Sequence, residues 1–350
     1  MNRIFPLLLT LCLLEIGLAA PADSLKNISL DLKFRSIGPA VTGGRVIDIA
    51  VNPDNHSEYY IAAGSGSLWK TINNGITFSP VFDNQKSYAI GAVEIDPSNS
   101  SIVWVGTGEN RNQNNVAYGD GIYKSEDGGK SWKNLGLKNS EHIGGIVVDP
   151  KNPNTVLVAA MGPLRREGGD RGVYKTSDGG KNWSKVLYIS EYTGCSEIHM
   201  DPRNSNIIYA VAHQRMRKLY TGVSGGPESG IYRSTDNGNT WDKMTRGLPT
   251  EDVGRIGMSV SPVNPDILFA IVEAKKDQGV YKSTDRGSSW SKQSSYVSAY
   301  PFYFQKLFCD PKDADKLFSM DVFIKISRDG GKTWSNLGEK NKHVDNHVLW

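Results

Sequence analysis

The sequence predicts an all-β protein that folds as a β-propeller, a ring of four-stranded sheets called blades. Three observations lead to this fold class. One short phrase recurs along the chain, a second turn phrase recurs in step with it, and 37 glycines and 16 prolines among 350 residues favour short strands joined by turns over long helices. A chain of this length can bury a large core if its blades pack side by side.

The first recurring phrase is Ser/Thr-x-Asp-x-Gly-x-x-Trp, which we call the Asp turn. It occurs five times in full, preceded by one degenerate copy that ends in phenylalanine. The closing aromatic residues lie 54, 51, 58, 49 and 44 residues apart, a spacing typical of a four-stranded unit repeated in tandem. We therefore expect one blade per copy. The copies occupy residues 71–78, 125–132, 176–183, 234–241, 283–290 and 327–334.

The composition of the Asp turn suits a tight hairpin. An aspartate can accept hydrogen bonds from backbone N–H groups about two residues further on, and a glycine supplies the positive φ of a compact turn. The tryptophan then buries a large ring against the neighbouring blade. Because every copy does the same mechanical job, we expect a structural role for these residues and no catalytic one. They are Asp127, Trp132, Asp178, Trp183, Asp236, Trp241, Asp285, Trp290, Asp329 and Trp334.

The second phrase, which we call the Pro turn, has the form x-Pro-x-Asn or x-Pro-x-Asp and lies between two apolar runs in each repeat. Proline cannot donate to a β-ladder and asparagine tolerates turn geometry, so each copy joins two strands. The second blade then consists of strand A at residues 90–95, strand B at 102–106, strand C at 121–125 and strand D at 131–135. The prolines of the six copies are Pro53, Pro97, Pro150, Pro202, Pro262 and Pro311.

The two ends of the propeller are expected to be incomplete. Residues 28–34 alternate apolar and polar side chains, as a strand that completes a blade would, and residues 343–350 resemble strand A of a seventh blade. An open ring would expose strand edges, which natural proteins avoid, so we expect a truncated segment of a longer chain. The six predicted blades occupy about residues 45–82, 89–136, 142–188, 194–246, 253–293 and 300–337, with the partial blade at 343–350.

The first 22 residues have the composition of a secretory signal peptide. Arg3 precedes an apolar run at residues 4–14, and small residues at 17–22 offer a cleavage site. A membrane anchor is the alternative, but the apolar run is shorter than the ~20 residues that a membrane span needs. We therefore expect a secreted protein, extracellular or periplasmic, with no transmembrane segment in the mature chain.

Charge and cysteine content limit which partners and covalent crosslinks the sequence indicates. A net charge of +3 from 40 basic and 37 acidic residues does not indicate a nucleic-acid partner. After removal of the leader, Cys195 and Cys309 remain; they could form one bridge, but two unpaired buried thiols are favoured because propellers hold together without disulfides. No sequence feature indicates a cofactor.

At this point the chain resembles a known group of repeat proteins. The Asp turns resemble the Asp boxes, or bacterial neuraminidase repeats, of secreted sialidases, xyloglucanases and the sortilin-type propeller. Four segments look most like microbial secreted proteins with a sortilin N-terminal-type domain: Phe-Arg-Ser-Ile-Gly-Pro at 34–39, Gly-Gly-Arg-Val at 43–46, Gly-Thr-Gly-Glu-Asn-Arg-Asn at 106–112 and Tyr-Gly-Asp-Gly-Ile-Tyr-Lys-Ser at 118–125. The resemblance implies the architecture from residue 34 onward and leaves the activity open, because this repeat serves enzymes, receptors and assembly factors.

Function in a propeller is expected on the loops of one face. The loops that join strands B to C and strands D to A share a face, which we call the loop face; here they cover about residues 109–120, 163–171, 213–228, 273–278 and 338–346. Basic and aromatic side chains on these loops would suit an anionic or carbohydrate ligand, although solvated loops without a ligand are an open alternative. The candidate ligand-binding residues are Glu109, Arg111, Tyr118, Asp120, Arg165, Arg171 and Arg215, with further charge or aromatic surface from Arg166, Arg217, Lys218 and Tyr220.

Two smaller constellations each allow a functional and a structural interpretation. Glu109 and Arg111 could bind a ligand at the mouth of the channel or could clamp their own polar loop. His343, Asp345 and His347 would share one face of an extended segment and could offer a metal two imidazoles and a carboxylate, but hydrogen-bonded loop residues are the favoured alternative.

The sequence leaves two functions in competition. The preferred hypothesis is an interaction module that binds a protein, peptide or glycan through the loop face. The alternative is a glycan-acting hydrolase of the xyloglucanase or sialidase type, which needs a pair of carboxylates or a nucleophile. The resemblance to xyloglucanases would place an aspartate before a Gly-Gly-aromatic stretch, where this chain has Gly64, and a sialidase-type arginine triad cannot be assigned. Enzymatic activity is therefore an open question, with the sequence favouring binding.

Overall fold

The computed structural model describes residues 44–111 and 116–350 as six antiparallel sheets without a helix. Each sheet is one blade of a β-propeller, which confirms the fold class and the six blades that the repeats predict. The predicted signal peptide and the strand expected at 28–34 lie outside the described residues. Within the described part of the chain, no helix is long and apolar enough to cross a membrane.

The strands follow one another in the order A, B, C and D within each blade. In the first three blades they are β1 (Val46–Val51), β2 (Tyr59–Ala63), β3 (Leu68–Thr71), β4 (Ser79–Pro80), β5 (Ile90–Ile95), β6 (Val103–Thr107), β7 (Ile122–Ser125), β8 (Lys133–Asn134), β9 (Ile143–Val148), β10 (Val156–Met161), β11 (Arg171–Thr176) and β12 (Ser184–Leu187). In the last three they are β13 (Thr193–Asp201), β14 (Asn204–Arg217), β15 (Gly222–Ser224), β16 (Gly230–Ser234), β17 (Asp242–Met244), β18 (Val253–Val260), β19 (Leu268–Ala274), β20 (Gly279–Ser283), β21 (Ser291–Ser294), β22 (Lys306–Cys309), β23 (Leu317–Met320), β24 (Lys325–Ser327) and β25 (Ser335–Asn336).

The A strands line the centre of the ring. Each A strand contacts the A strand of the next blade, from β1 and β5 through to β18 and β22. In the first five blades the A–B pairing shifts register near the start of strand A, for example between Val46 and Asp48. Such a bulge adds one residue to a strand and re-aims the side chains that follow it. The side chains after the bulge therefore decide what the central channel contains.

Apolar side chains fill the spaces between blades. Between the fourth and fifth blades, Tyr209, Val211 and Met258 are buried in one cluster with Trp290, the closing residue of the fifth Asp turn. Trp132 packs on the core between the first two blades and donates from its indole N–H to the Val81 carbonyl, 2.7 Å away. The tryptophans thus join neighbouring blades as well as closing their own turns.

The Asp turn has a more specific geometry than its composition indicates. In the second blade the Ser125 hydroxyl accepts from the Gly129 N–H at 2.8 Å and donates to Asp127. Asp127 in turn accepts from the Ser131 N–H at 2.8 Å, four residues on instead of the two that we expected. Gly128 and Gly129 both have a positive φ, of 69° and 87°. A turn with two consecutive left-handed residues explains the glycine, because other residues reach that region at a cost.

The cysteines and the C-terminal segment differ in part from expectation. Cys195 and Cys309 are unpaired; Cys195 is buried, but Cys309 is only half-buried. Residues 343–350 form no strand, so the seventh blade and the truncation stay predictions. The segment packs back on the propeller instead, where the Trp350 ring meets His56 edge-on at 5.3 Å.

Candidate functional site

A strongly exposed feature of the loop face is a hairpin in the fourth blade. We expected residues 213–228 to be a loop, but β14 runs on to Arg217 and pairs with β15, so that Arg217 lies opposite Gly222. At its tip, Leu219 is 98% and Tyr220 is 83% exposed. A cavity of about 350 Å³ lies beside this hairpin and is also lined by Leu164 and Phe302. We call this cavity the hairpin groove.

Three of the predicted ligand-binding arginines are buried, namely Arg111, Arg171 and Arg215. Arg171 is fully buried, and its guanidinium donates to the carbonyl oxygens of Met161 at 2.9 Å and Arg166 at 2.7 Å, and to that of Pro163. Arg215 is 1% exposed and donates to the Gly162 carbonyl at 3.1 Å. These guanidinium groups hold the backbone of residues 161–166, where β10 ends and the 163–171 loop begins. Arg165, Arg166, Lys218, Tyr118 and Tyr220 remain exposed.

Glu109 and Arg111 adopt the clamping arrangement. The Glu109 carboxylate is buried against the Arg45 guanidinium, whose Nε also donates to the Tyr303 hydroxyl at 2.9 Å. Arg111 is 1% exposed and donates to the His347 carbonyl at 3.3 Å. Both side chains therefore tie the loop after β6 to distant parts of the chain.

Asp120 is also engaged within its own blade. It accepts from the Tyr123 hydroxyl at 2.7 Å and lies 3.4 Å from the Thr107 hydroxyl. Burial raises the pKa of Tyr123 to about 12, and the neighbouring Asp120 adds to the shift. Nearby, Tyr118 is 53% exposed and its ring lies 5.7 Å from that of His142. Since Glu109 and Asp120 are both hydrogen-bonded or ion-paired, the described residues of this loop present no free pair of carboxylates.

The three residues proposed for a metal are not brought together. Asp345 has a left-handed φ of 72°, which interrupts the extended alternation that would put them on one face. His343 is exposed, whereas His347 is 3% exposed and stacks on Phe304 at 5.3 Å between ring centroids. Across residues 44–111 and 116–350 there is no cluster of three or more metal-binding side chains.

A second cavity, of about 640 Å³, occupies the central channel. Its lining includes titratable side chains from four A strands, namely Asp48, Glu94, Glu197 and Lys306. The same cavity is lined by residues of the Pro turns, so it opens on the face opposite the loop face. These turn residues are Pro97, Pro150, Pro202 and Pro262. We call this space the channel cavity.

The charged groups of the channel differ in protonation. Burial raises the pKa of Glu94 to about 8, and Asp48 and Asp96 add to the shift, so Glu94 is largely protonated at neutral pH. Burial also opposes ionisation of Glu197, but His199, 3.2 Å away, and Arg255, 4.0 Å away, hold its pKa below the ordinary value. One carboxyl group is neutral and the other ionised in the same cavity.

Cations complete this network: Lys306 lines the cavity, and Arg111 and Arg255 lie buried near it. Burial and then Arg255 lower the pKa of Arg111 to about 9, and burial lowers that of Lys306. The Nε atoms of Arg111 and Arg255 and the Oε1 atom of Glu197 have no hydrogen-bond partner among the described residues. The channel therefore holds both donors and acceptors with unused hydrogen-bonding capacity.

The sequence gives only a faint signal for the channel residues. Asp48 and Glu94 each stand alone in an otherwise apolar strand, and Glu197 lies just after a bulge between Cys195 and Glu197. A lone charged residue in a strand usually faces solvent. Only the positions of these strands at the centre of the ring turn the same residues into a channel lining.

Comparison with known proteins gives a consistent architectural result. Residues 229–348 match the Sortilin-Vps10 family model, described as sortilin, neurotensin receptor 3. Among curated proteins, the xyloglucanase of Hypocrea jecorina is 26% identical over 233 residues, covering 58% of this chain and 26% of the relative. Xyloglucanase Xgh74A of Acetivibrio thermocellus is 25% identical over 362 residues, covering 91% of this chain and 41% of the relative. The chain thus spans less than half the length of these relatives.

Solved structures support the fold. The GH74 xyloglucanase from Xanthomonas campestris superposes with a TM-score of 0.61 at 17% identity, covering 82% of this chain and 45% of the other. YCF48 bound to D1 peptide superposes with a TM-score of 0.55 at 17% identity, covering 87% of each chain. Identities this low establish the fold alone. The chain is accordingly an Asp-box-like propeller that resembles the sortilin and xyloglucanase families.

Proposed function

We propose that this propeller is an interaction module that binds a protein, peptide or glycan through its loop face. The observation that carries the proposal is the hairpin groove with its exposed tip. Leu219 at 98% exposure and Tyr220 at 83% are adjacent, and with Leu164 and Phe302 they line one groove, so the exposed apolar surface is contiguous, which is typical of an interaction site.

The chemistry of the hairpin groove suits an anionic or carbohydrate partner. Tyr220 and Phe302 offer aromatic surface, which packs against apolar groups and sugar rings. Lys218 at the tip and Arg166 on the adjoining loop add exposed positive charge. The hairpin is not held by its own turn alone, since the Arg217 N–H donates to the Leu164 carbonyl at 2.9 Å. A binding surface anchored in this way loses little conformational freedom when a partner docks.

A binding assay with three defined probes tests this proposal. The protein is immobilised and titrated with soluble xyloglucan, polygalacturonate and a polyglutamate peptide. We expect saturable binding of at least one probe without any product. Tyr220→Ala should weaken that binding about tenfold, and Lys218→Glu should weaken only an anionic probe. Lys332→Glu, an exposed change in the sixth Asp turn, is the matched control.

Two results would contradict the loop-face proposal. One is the absence of binding to all three probes by the folded protein. The other is binding that Tyr220→Ala and Lys218→Glu leave unchanged relative to Lys332→Glu.

Glycan hydrolysis is the second candidate, supported by the xyloglucanase relatives and by the channel cavity. A neutral carboxyl at Glu94 and an ionised one at Glu197 are the two protonation states that acid–base cleavage of a glycosidic bond uses. Release of reducing ends from xyloglucan should then be lost in Glu94→Gln and Glu197→Gln. It should persist in Glu109→Gln and Asp120→Asn, whose carboxylates hold the loop. Activity that depends on Glu109 or Asp120 instead would overturn this assignment.

A further inference from the structure

The ribbon formed by β14 and β15 has one strand edge that no other described strand covers. We propose that this edge binds an extended, acidic peptide segment of a partner protein, which adds a third strand beside β15. The inference rests on the loop-face function proposed above, because Gly222, Val223 and Ser224 of β15 all line the hairpin groove. It goes further by naming the chemistry of the partner and the backbone groups that hold it.

Two hydrogen bonds within the ribbon show which positions of β15 face β14. The Lys218 N–H donates to the Thr221 carbonyl at 2.8 Å, and the Gly225 N–H donates to the Gln214 carbonyl at 2.9 Å. In an antiparallel pair, hydrogen-bonded and non-hydrogen-bonded positions alternate. The position midway between these two bonds, Val223, is therefore the one whose N–H and C=O face β14.

The positions on either side turn their backbone groups the other way. Gly222 and Ser224 direct one N–H and one C=O each away from β14, and among the described residues these groups have no backbone partner. The opposite edge of the ribbon is covered, since the Arg217 N–H of β14 donates to the Leu164 carbonyl at 2.9 Å. Only the β15 edge therefore offers donors and acceptors to an added strand.

The chain blocks most of its outer strand edges but not this one. A free strand edge is a template for pairing with another chain, and proteins commonly block it with lysine or proline. The outermost strand of each of the first five blades carries such a residue, whereas β15 has the sequence Gly-Val-Ser and is exposed throughout. A Cβ at Gly222 would meet no heavy atom within 4 Å, so the space beside this edge is open. The blocking residues are Pro80, Lys133, Lys185, Lys243 and Lys292.

The charge and the aromatic surface of the groove define the partner. The charged residues that line it, Arg217 and Lys218, are both basic, and Tyr220 and Phe302 supply aromatic surface. A strand added beside β15 extends the ribbon, so its alternate side chains lie on the face that lines the groove. An acidic side chain can then meet Lys218 while apolar neighbours pack on the aromatic rings. A second copy of this ribbon would bring only basic charge, because residues 215–225 contain no aspartate or glutamate.

Blocked hexapeptides give a direct test. The first is acetyl-Glu-Val-Thr-Val-Thr-Glu-amide, the second has lysine in place of glutamate, and the third is the first with its four central amides N-methylated. Calorimetric titration should detect saturable binding of the first peptide. The other two should bind at least about tenfold more weakly, because one reverses the charge and the other lacks the N–H groups that pair with β15.

Two substitutions at Gly222 separate backbone pairing from other contacts. Gly222→Pro removes an N–H that β14 does not use, and proline is tolerated at such an edge position. It should weaken binding of the acidic peptide about tenfold relative to Gly222→Ala, which keeps the N–H. Lys218→Glu should weaken the acidic peptide and strengthen the lysine peptide, whereas Lys332→Glu, in the sixth Asp turn, should do neither.

Amide exchange in the unaltered protein covers the case in which Gly222→Pro does not fold. NMR should show that the bound peptide slows solvent exchange of the Gly222 and Ser224 amides and leaves that of Val223 unchanged. The proposal is overturned if no peptide binds, if the N-methylated peptide binds as tightly as the first, or if these two amides are not protected.

Two further outcomes would overturn edge pairing by a peptide and leave the loop-face function in place. One is peptide binding that Tyr220→Ala weakens but Gly222→Pro does not. The other is a dimer that forms through β15 and excludes the peptide, which would identify a second copy of this chain as the occupant.

Discussion

At the scale of single residues, the Asp turn works through hydroxyl and carboxylate together. In the third blade the Thr176 hydroxyl accepts from the Gly180 N–H at 2.9 Å and donates to Asp178 at 2.7 Å. The degenerate first copy keeps the pattern with asparagine, since Asn73 Oδ1 accepts from the Thr77 N–H at 3.0 Å. The recurring chemistry is thus an acceptor oxygen at this position, with the carboxylate optional. Comparing the copies in the sequence reveals which position recurs, but not which hydrogen bond its side chain accepts.

The aspartate side chains make the stability of the propeller sensitive to acid. The Ser131 hydroxyl, with the Ser131 N–H, lowers the pKa of Asp127 to about 2, and the Ser289 hydroxyl does the same for Asp285. A carboxylate whose folded pKa lies below its unfolded pKa stabilises the fold fully above the unfolded value, about 4, and loses that effect as the pH falls through the folded value. We therefore expect the free energy of unfolding to fall between about pH 4 and pH 2.

Urea unfolding across that pH range measures the effect. Asp285→Asn, which copies the natural asparagine of the first turn, should be less stable than the wild type at pH 5 and should approach it at pH 2. A constant difference between the two proteins over this range would contradict the carboxylate origin of the acid sensitivity.

At the scale of strands and loops, the sequence predicted regular elements well and irregular ones poorly. Strand A of the second blade was predicted at 90–95 and is Ile90–Ile95; strand C was predicted at 121–125 and begins one residue later, at Ile122. The extension of β14 to Arg217 was missed, because its polar residues indicate a loop. The Arg217 N–H at the end of that extension donates to the Leu164 carbonyl at 2.9 Å, and a contact with a distant segment leaves no local pattern in the sequence.

Arg171 contacts the backbone of the 163–171 loop at several points. Its guanidinium donates to several backbone carbonyls inside the protein, including that of Gly168 at 2.8 Å. The planar fork of arginine reaches several acceptors at once, whereas a lysine ammonium is a compact point charge. Arg171→Lys should leave buried carbonyls unpaired, at ~1–3 kcal/mol each, and lower the free energy of unfolding by about 2–4 kcal/mol.

Chemical denaturation of Arg171→Lys beside Arg166→Lys provides the comparison. Arg166 is exposed and pairs with Glu141 at 2.8 Å, a surface ion pair worth about 0–1 kcal/mol. Equal effects of the two substitutions would show that the buried hydrogen bonds of Arg171 do not stabilise the loop.

At the scale of the whole propeller, a few polar contacts link the first blade to the last. Arg45 lies just before β1, yet it contacts Glu109 after β6 and Tyr303 before β22. Arg111 continues this link to the His347 carbonyl. The sequence singled out Glu109 and Arg111 as a pair that either binds a ligand or clamps a loop, and could not decide, because their partners lie up to 236 positions away.

Replacing Arg45 and replacing Glu109 should lower the free energy of unfolding by different amounts. The Glu109 side chain is 3% exposed and that of Arg45 is 24% exposed. Arg45→Met leaves a buried carboxylate without its partner, so we expect a loss of about 3–5 kcal/mol, whereas Glu109→Gln leaves a partly exposed guanidinium that water can still reach and should cost less. The double variant should be less destabilised than the sum of the two, since each single change already breaks the pair. Urea unfolding of the wild type, the two single variants and the double variant measures this coupling, and Tyr303→Phe reports the remaining contact of Arg45. An equal loss of stability in both single variants would show that the pair does not hold the first blade to the loop after β6. Strictly additive losses would show the same.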